Sequence, residues 1–184
     1  MKINDVEETW RGPDYSKLSD KFAKEHEEEW LTHGKYIADI EQYGVRHFGK
    51  YYSVWENNIL IAFTSLHDNI VDDVWVDSKY RGLKIFSKLL WFYKSRLNVD
   101  HLILGKIHSP DMQEIIKGMS RFSKRWYNEK TKEIEPFNIN TLDQYYSNSG
   151  STDWRLMIES AGNKGWPMFK GSSYIKDDYT ELLK

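Results

Sequence analysis

The chain has 184 residues, 40% hydrophobic and 29% charged, with a net charge of −2. That is the profile of a soluble globular domain long enough to bury its own core. It contains no cysteine, which excludes disulfides, thiolate metal sites and a cysteine nucleophile. No apolar run approaches membrane-spanning length and Met1 to Asp5 carry no apolar leader core, so a cytoplasmic protein without a membrane partner is expected.

Charge is unevenly spread. Residues 1–78 hold 8 Lys/Arg against 16 Asp/Glu, and residues 79–130 hold 12 against 4. A basic middle of this kind suits a phosphate-rich ligand or nucleic acid, and solvated helix faces produce the same count.

In chain order, residues 2–6 suggest a short first strand. Gly12-Pro13-Asp14 breaks the chain and starts a helix that runs to His33-Gly34, with Leu18, Phe22 and Trp30 on one face. A shorter helix is expected over 36–43 from the spacing of Ile37, Ile40 and Tyr43. Residues 51–67 read as a hairpin around Glu56-Asn57-Asn58. A strand follows over 70–77, then a helix from Lys84 to Leu97 with Phe86, Leu89, Leu90, Tyr93 and Leu97 at helical spacing. His101 to Ile107 reads as a strand. Ser109-Pro110-Asp111 opens a helix whose apolar face carries Met112, Ile115, Ile116, Met119 and Phe122. Residues 128–151 are polar and irregular, an insertion by their length. Strands are expected at 154–159 and, weakened by Pro167, at 165–170. No repeat or domain boundary is evident. The order predicts one domain over 1–184 of the α/β (α+β) class, with a mixed central sheet, helices on both faces and a polar insertion near 128–151.

The stretch from Val71 to Leu90 is the most informative. A β-rich run passes through a short turn at Arg81-Gly82 into an apolar helical pattern. The first backbone N–H groups of a helix lack internal partners and sit at the positive end of its dipole, so strand, glycine turn and helix N-terminus together make a generic anion site. Arg81 and Lys84 add full positive charges at that end.

Val74-Trp75-Val76, followed by Lys79-Tyr80-Arg81-Gly82-Leu83-Lys84-Ile85-Phe86-Ser87, resembles the acyl-CoA strand, pyrophosphate loop and following helix of the GCN5-related N-acetyltransferase superfamily. The resemblance covers roughly residues 1–125 and is best over 51–97. It implies a divergent acyl-CoA-dependent N-acyltransferase with acetyl-CoA as co-substrate and an amine acceptor, small molecule or macromolecule. It implies that Val74, Trp75 and Val76 hold the pantetheine arm, and that Arg81, Gly82, Leu83, Lys84, Ile85, Phe86 and Ser87 hold the pyrophosphate. Asp72 falls where many members carry a strand carboxylate, and is the expected acceptor of the amine proton. Strand alternation would place Asp72, Val74 and Val76 on one face. The chain departs from the family pattern at Lys84, which stands at the middle glycine, and at Phe86, which stands at the last small residue. The Lys84 ammonium either grips phosphate itself or blocks the loop. The tyrosine and asparagine usual further on are absent, with Ile115, Ile116 and His108-Ser109-Pro110 near those places.

Of the six histidines, none shares a metal-ligand spacing with another, so no metal is expected. His67 and His108 end strands, where a proton carrier could border a ligand crevice, and His108 is the second candidate catalytic residue. A different class of function is carried by Lys117 to Lys132, where basic residues alternate with Phe122, Trp126 and Tyr127. A non-catalytic module could bind nucleic acid or protein there. A helix with a basic outer and an apolar inner face has the same pattern.

Overall fold

The structure, a computed structural model, describes residues 13–97, 99, 101–105, 110–119, 122–145 and 153–161. The strands expected over 2–6 and 165–170 lie outside them. Helix α1 spans Pro13–His33, as its proline start predicts. It stops at Gly34, whose N–H reaches the Trp30 carbonyl at 2.9 Å. A Cβ at Gly34 would lie 2.3 Å from that oxygen, so only glycine fits this turn.

Residues 36–43 are not helical. They belong to strands β1 (Lys35–Ile40) and β2 (Tyr43–Phe48), paired antiparallel around a turn with Glu41 at φ 56°. The register slips between Tyr36 and Ala38. That bulge buries Ile37, Ala38 and Ile40 together, which breaks the two-residue alternation and imitates helical spacing. Strands β3 (Tyr51–Glu56) and β4 (Ile59–Ser65) form the expected hairpin. Asn57 and Asn58 both adopt positive φ at its turn, the conformation that two-residue hairpins favour.

The segment over 70–77 departs most from expectation. It is two short strands, β5 (Ile70–Val71) and β6 (Val74–Val76), separated by Asp72-Asp73. They pair in different sheets. The first sheet has the order β1-β2-β3-β4-β6 and is antiparallel. The second has the order β5-β7-β10-β8-β9, from β7 (Leu102–Leu104), β8 (Phe122–Asn128), β9 (Ile134–Pro136) and β10 (Trp154–Ala161). Only β5 and β7 run parallel. The fold is of the expected mixed α/β class, with its strands divided between two five-stranded sheets that part at Asp72-Asp73. Aspartate pairs poorly in a ladder, and Asp73 is fully buried against Lys50 (3.7 Å) and the Tyr51 hydroxyl (3.4 Å).

Helix α2 (Ile85–Ser95) buries Phe86, Leu89, Leu90 and Tyr93 as its periodicity predicts, with Leu97 beyond its end. These pack with residues of both sheets, such as Val45, Val54, Leu102 and Leu156, in one large core. Helix α1 supplies a second cluster, in which Phe22 and Trp30 meet Phe63 and Trp75 of the first sheet. Within it the Trp75 indole N–H donates to Asp20 at 2.7 Å. Helix α3 spans Pro110–Gly118, and its expected face is divided. Ile116 and Met119 are buried, whereas Met112 and Ile115 are only half-buried. Phe122 opens β8 rather than extending the helix. Of the 128–151 insertion, the described part is β9, a 3-10 turn (Ile139–Thr141) and a short helix α4 (Leu142–Tyr145).

Candidate ligand cleft at the parting of the sheets

Where the sheets separate, a cleft of about 430 Å³ lies between β6, the loop after it, the start of α2 and helix α3. It is lined by Val74, Trp75, Val76, Arg81, Gly82, Lys84, Ile85, Phe86 and Ser87. Nine of the ten residues that the sequence marks for a cofactor thus share one cleft. Leu83 does not line it and is 47% exposed. Tyr80, Met112 and Ile115 also line the cleft. The spacing puts the last two on the apolar face of their helix, and a helix face that walls a cleft has the same periodicity as one that packs.

The floor of the cleft is an open strand edge. Ser65 N–H bonds Asp73 C=O at 2.9 Å and Asp77 N–H bonds Ile61 C=O at 2.8 Å. These bonds put residues 73, 75 and 77 in phase with β4, and an antiparallel ladder alternates. The peptide groups of Val74 and Val76 consequently face away from β4, into the cleft. Arg81 Nε donates to the Val76 carbonyl at 3.1 Å. This leaves the Val74 N–H and C=O and the Val76 N–H to receive an extended ligand by strand addition.

At one end of this edge stands the loop. A 3-10 turn over Ser78–Tyr80 is capped by Asp77, whose carboxylate accepts from Lys79 N–H at 2.9 Å. Gly82 (φ 86°) and Lys84 (φ 60°) both adopt the left-handed backbone region. Lys84 is the residue before α2, and its side chain caps no N–H there. The first-turn N–H groups of Ile85, Phe86 and Ser87 lack helical acceptors by geometry. Nothing lies within 4 Å of a Cβ placed on Gly82, so space beside the loop is open. Lys88 is held by Glu41 at 2.8 Å. The Tyr80 phenol is held above its ordinary pKa, chiefly by its hydrogen bond to Glu56. The residue set fits a diphosphate on an extended apolar arm: peptide N–H groups and cations at one end, a free strand edge along the floor, and Met112 and Ile115 opposite.

Asp72 does not line the cleft with Val74 and Val76. Burial still alternates through the break, with Val71, Asp73 and Trp75 buried and Asp72, Val74 and Val76 more exposed, but Asp72 lines a second cavity of about 460 Å³ with Asn69, Gly105, Tyr127, Glu129, Lys132 and Arg155. Val74 and Asp72, two residues apart, thus border different cavities. Asp72 N–H reaches Ser65 Oγ at 3.3 Å. Its carboxylate lies over Gly105, where a Cβ would come within 2.4 Å of Oδ1. His108 lies outside the described residues. His67 is exposed beside Asp68 at 3.6 Å and lines neither cavity.

Of the basic and aromatic stretch 117–132, residues 122–128 form strand β8 rather than a helix face. Trp126 is fully buried, stacked on Tyr145. The Lys124 ammonium donates to the Met119 and Phe122 carbonyls, with burial lowering its pKa. Arg125 pairs with Glu159 of the adjacent strand. Among the described residues no helix is long and apolar enough to cross a membrane. The chain matches no model of a known protein family, and a comparison with curated proteins likewise gives no match.

Proposed function

We propose that the protein is an acyl-CoA-dependent N-acyltransferase. The observation that carries this reading is the open edge of β6 running toward the loop at the start of α2 in one cleft, with the Asp72 carboxylate in a second cavity two residues away. Arg81, Lys84 and the N–H groups of Ile85 to Ser87 bind the pyrophosphate. The peptide groups of Val74 and Val76 bind the pantetheine arm as an added strand. Acetyl-CoA, as co-substrate, supplies an activated acyl thioester. The acceptor enters from the Asp72 cavity. Its nitrogen bonds to the acyl carbon, the carbon–sulfur bond breaks, and the proton leaving nitrogen passes to Asp72 directly or through one water. A β6 N–H stabilises the negative charge that develops on the carbonyl oxygen. The chain has no cysteine to carry the acyl group as a thioester, and in this mechanism transfer is direct from one substrate to the other.

Titration of the melting temperature with acetyl-CoA tests the reading. Binding to the folded state at a hundredfold excess over the dissociation constant stabilises it by about 2.7 kcal/mol. For a chain of this size that is a rise of roughly 5–10 °C. No rise at millimolar acetyl-CoA sinks the proposal. The nucleic-acid reading gains no support from β8, because Trp126 is buried and Lys124 and Arg125 are engaged within the protein.

A further inference from the structure

The second cavity has its own chemistry. Asp72 and Glu129 contribute two carboxylates, and Lys132 and Arg155 contribute two cations. The charges come from separate places. Asp72 sits at the break between β5 and β6, and Arg155 lies on β10. Glu129 and Lys132 belong to the turn between β8 and β9. That turn is tightly built: the Asn128 side chain accepts from Lys130 N–H at 3.0 Å and Thr131 N–H at 2.9 Å, and Lys132 N–H closes on the Asn128 carbonyl at 2.8 Å. Lys132 adopts φ 66°, a left-handed conformation that non-glycine residues seldom take. Its ammonium lies 5.8 Å from the centre of the Tyr127 ring, another wall of the cavity.

Arg155 is 8% exposed, and its guanidinium meets Glu129 at 3.0 Å while also donating to the Trp154 carbonyl at 2.9 Å. Glu129 orients Arg155 and offsets part of its charge. The outcome is a polar pocket with a carboxylate on the β5–β6 side and, on the β8–β10 side, Lys132 beside the Glu129–Arg155 ion pair, which leaves that side one positive charge in excess. A cavity of this volume accommodates a small molecule.

We propose that this pocket accepts a free amino acid, a small molecule that carries its amine and a carboxylate on one skeleton. The amine sits at Asp72 and the carboxylate at Lys132 and Arg155. This rests on the acyltransferase reading for the fate of the amine, and on the pocket alone for the choice of ligand. An ammonium that reaches Asp72 must lose one proton, to water, before it is a nucleophile, and Asp72 stays ionised to take the second as the nitrogen–carbon bond forms. A polyamine places a second positive charge at Lys132 and Arg155 and is repelled. A lysine side chain in a protein brings no carboxylate to them.

The test uses the full chain, the common L-amino acids, their α-amides and the corresponding decarboxylated amines. Binding is read as a melting shift without acetyl-CoA. Turnover is read as release of free thiol from acetyl-CoA, to which a chain without cysteine adds no background. At least one amino acid is expected to raise the melting temperature and be acylated, and its amide to bind about tenfold more weakly or worse. Lys132→Met keeps the stem over Tyr127 and removes the charge. It is expected to raise KM for the amino acid by about tenfold, leaving kcat and the KM for the amide in place. Amides or polyamines that match the acids overturn the proposal, as does a Lys132→Met effect equal for acid and amide. If acetyl-CoA gives no melting shift, acyl transfer fails. A Lys132-dependent shift with an amino acid then still supports the pocket's ligand class. No shift with any amino acid overturns it regardless of acetyl-CoA.

Discussion

Lys84 carries the sharpest conflict between local preference and site geometry. A lysine in the left-handed region costs about 1–2 kcal/mol that glycine avoids, and the loop nevertheless holds Lys84 at φ 60°. The chain thus preserves the turn that a glycine would make while placing an ammonium on the wall of the cleft. Two readings of this residue were open in the sequence, grip or block, and its glycine-like backbone is compatible with both. Lys84→Gly is expected to raise the melting temperature by roughly 2–4 °C, a gain of about 1 kcal/mol. It should at the same time shrink the shift produced by acetyl-CoA. A larger shift in the variant would mean that the side chain obstructs the loop. Asp72 was legible as a carboxylate beside β6, but its cavity was not, since Gly105, Tyr127, Glu129, Lys132 and Arg155 reach it from distant parts of the chain. Asp72→Asn is expected to lower kcat by about 10²–10⁴ with the acetyl-CoA melting shift intact. Gly105→Ala should fall in the same direction, because its Cβ would displace the Asp72 carboxylate. Wild-type turnover in either variant removes Asp72 from the mechanism.

Among the elements, those with one dominant signal were readable. Helix α1 has its proline start, the β3–β4 hairpin has its two asparagines, and α2 has four apolar positions at helical spacing, with Leu97 continuing the pattern just beyond its end. The misread elements are those in which tertiary pairing decides. Strands β1 and β2 hide behind a bulge. The β5–β6 segment looks continuous until its two halves pair with different sheets. Strand β8 looks like a basic helix until it pairs with β9 and β10 and Arg125 meets Glu159 of β10. Helix α2 is also fixed by something invisible in a one-dimensional pattern, the buried bond between the Tyr93 hydroxyl and Thr64 Oγ of β4. Tyr93→Phe leaves the Thr64 hydroxyl buried without that partner and should cost about 1–2 kcal/mol, lowering the melting temperature by roughly 2–8 °C. Thr64→Val in the Tyr93→Phe background should recover much of this loss, because an apolar group then fills the place of the orphaned hydroxyl. Failure to recover would mean that the loss comes from packing around the ring rather than from the bond.

At the scale of the whole molecule, aromatic richness has a consequence for pH. The phenols of Tyr43, Tyr52, Tyr80, Tyr93 and Tyr145 are all raised above their ordinary value. The shifts of Tyr80 and Tyr145 arise first from hydrogen bonds to exposed or half-buried carboxylates, and solvent screening leaves them little weight in stability. Tyr43, Tyr52 and Tyr93 differ, because all three lie in the main core and burial is the largest cause for each. Burial pushes Tyr52 up from 10.0 to about 12. Below pH 10 this phenol is protonated whether the chain is folded or unfolded, and its contribution is fully present. Between pH 10 and 12 the unfolded chain loses the proton while the folded chain keeps it, so stability falls as pH rises. Two units amount to roughly 2–3 kcal/mol by pH 12, with Tyr93 acting in the same direction. Denaturant melts at pH 8 and at pH 11 should therefore differ by more than surface charge alone produces. Tyr52→Phe, unable to ionise in either state, should move the alkaline limb upward while the Tyr93 contribution persists. An alkaline limb unchanged by Tyr52→Phe would show that the core tyrosines do not control it and that repulsion among deprotonated surface groups does.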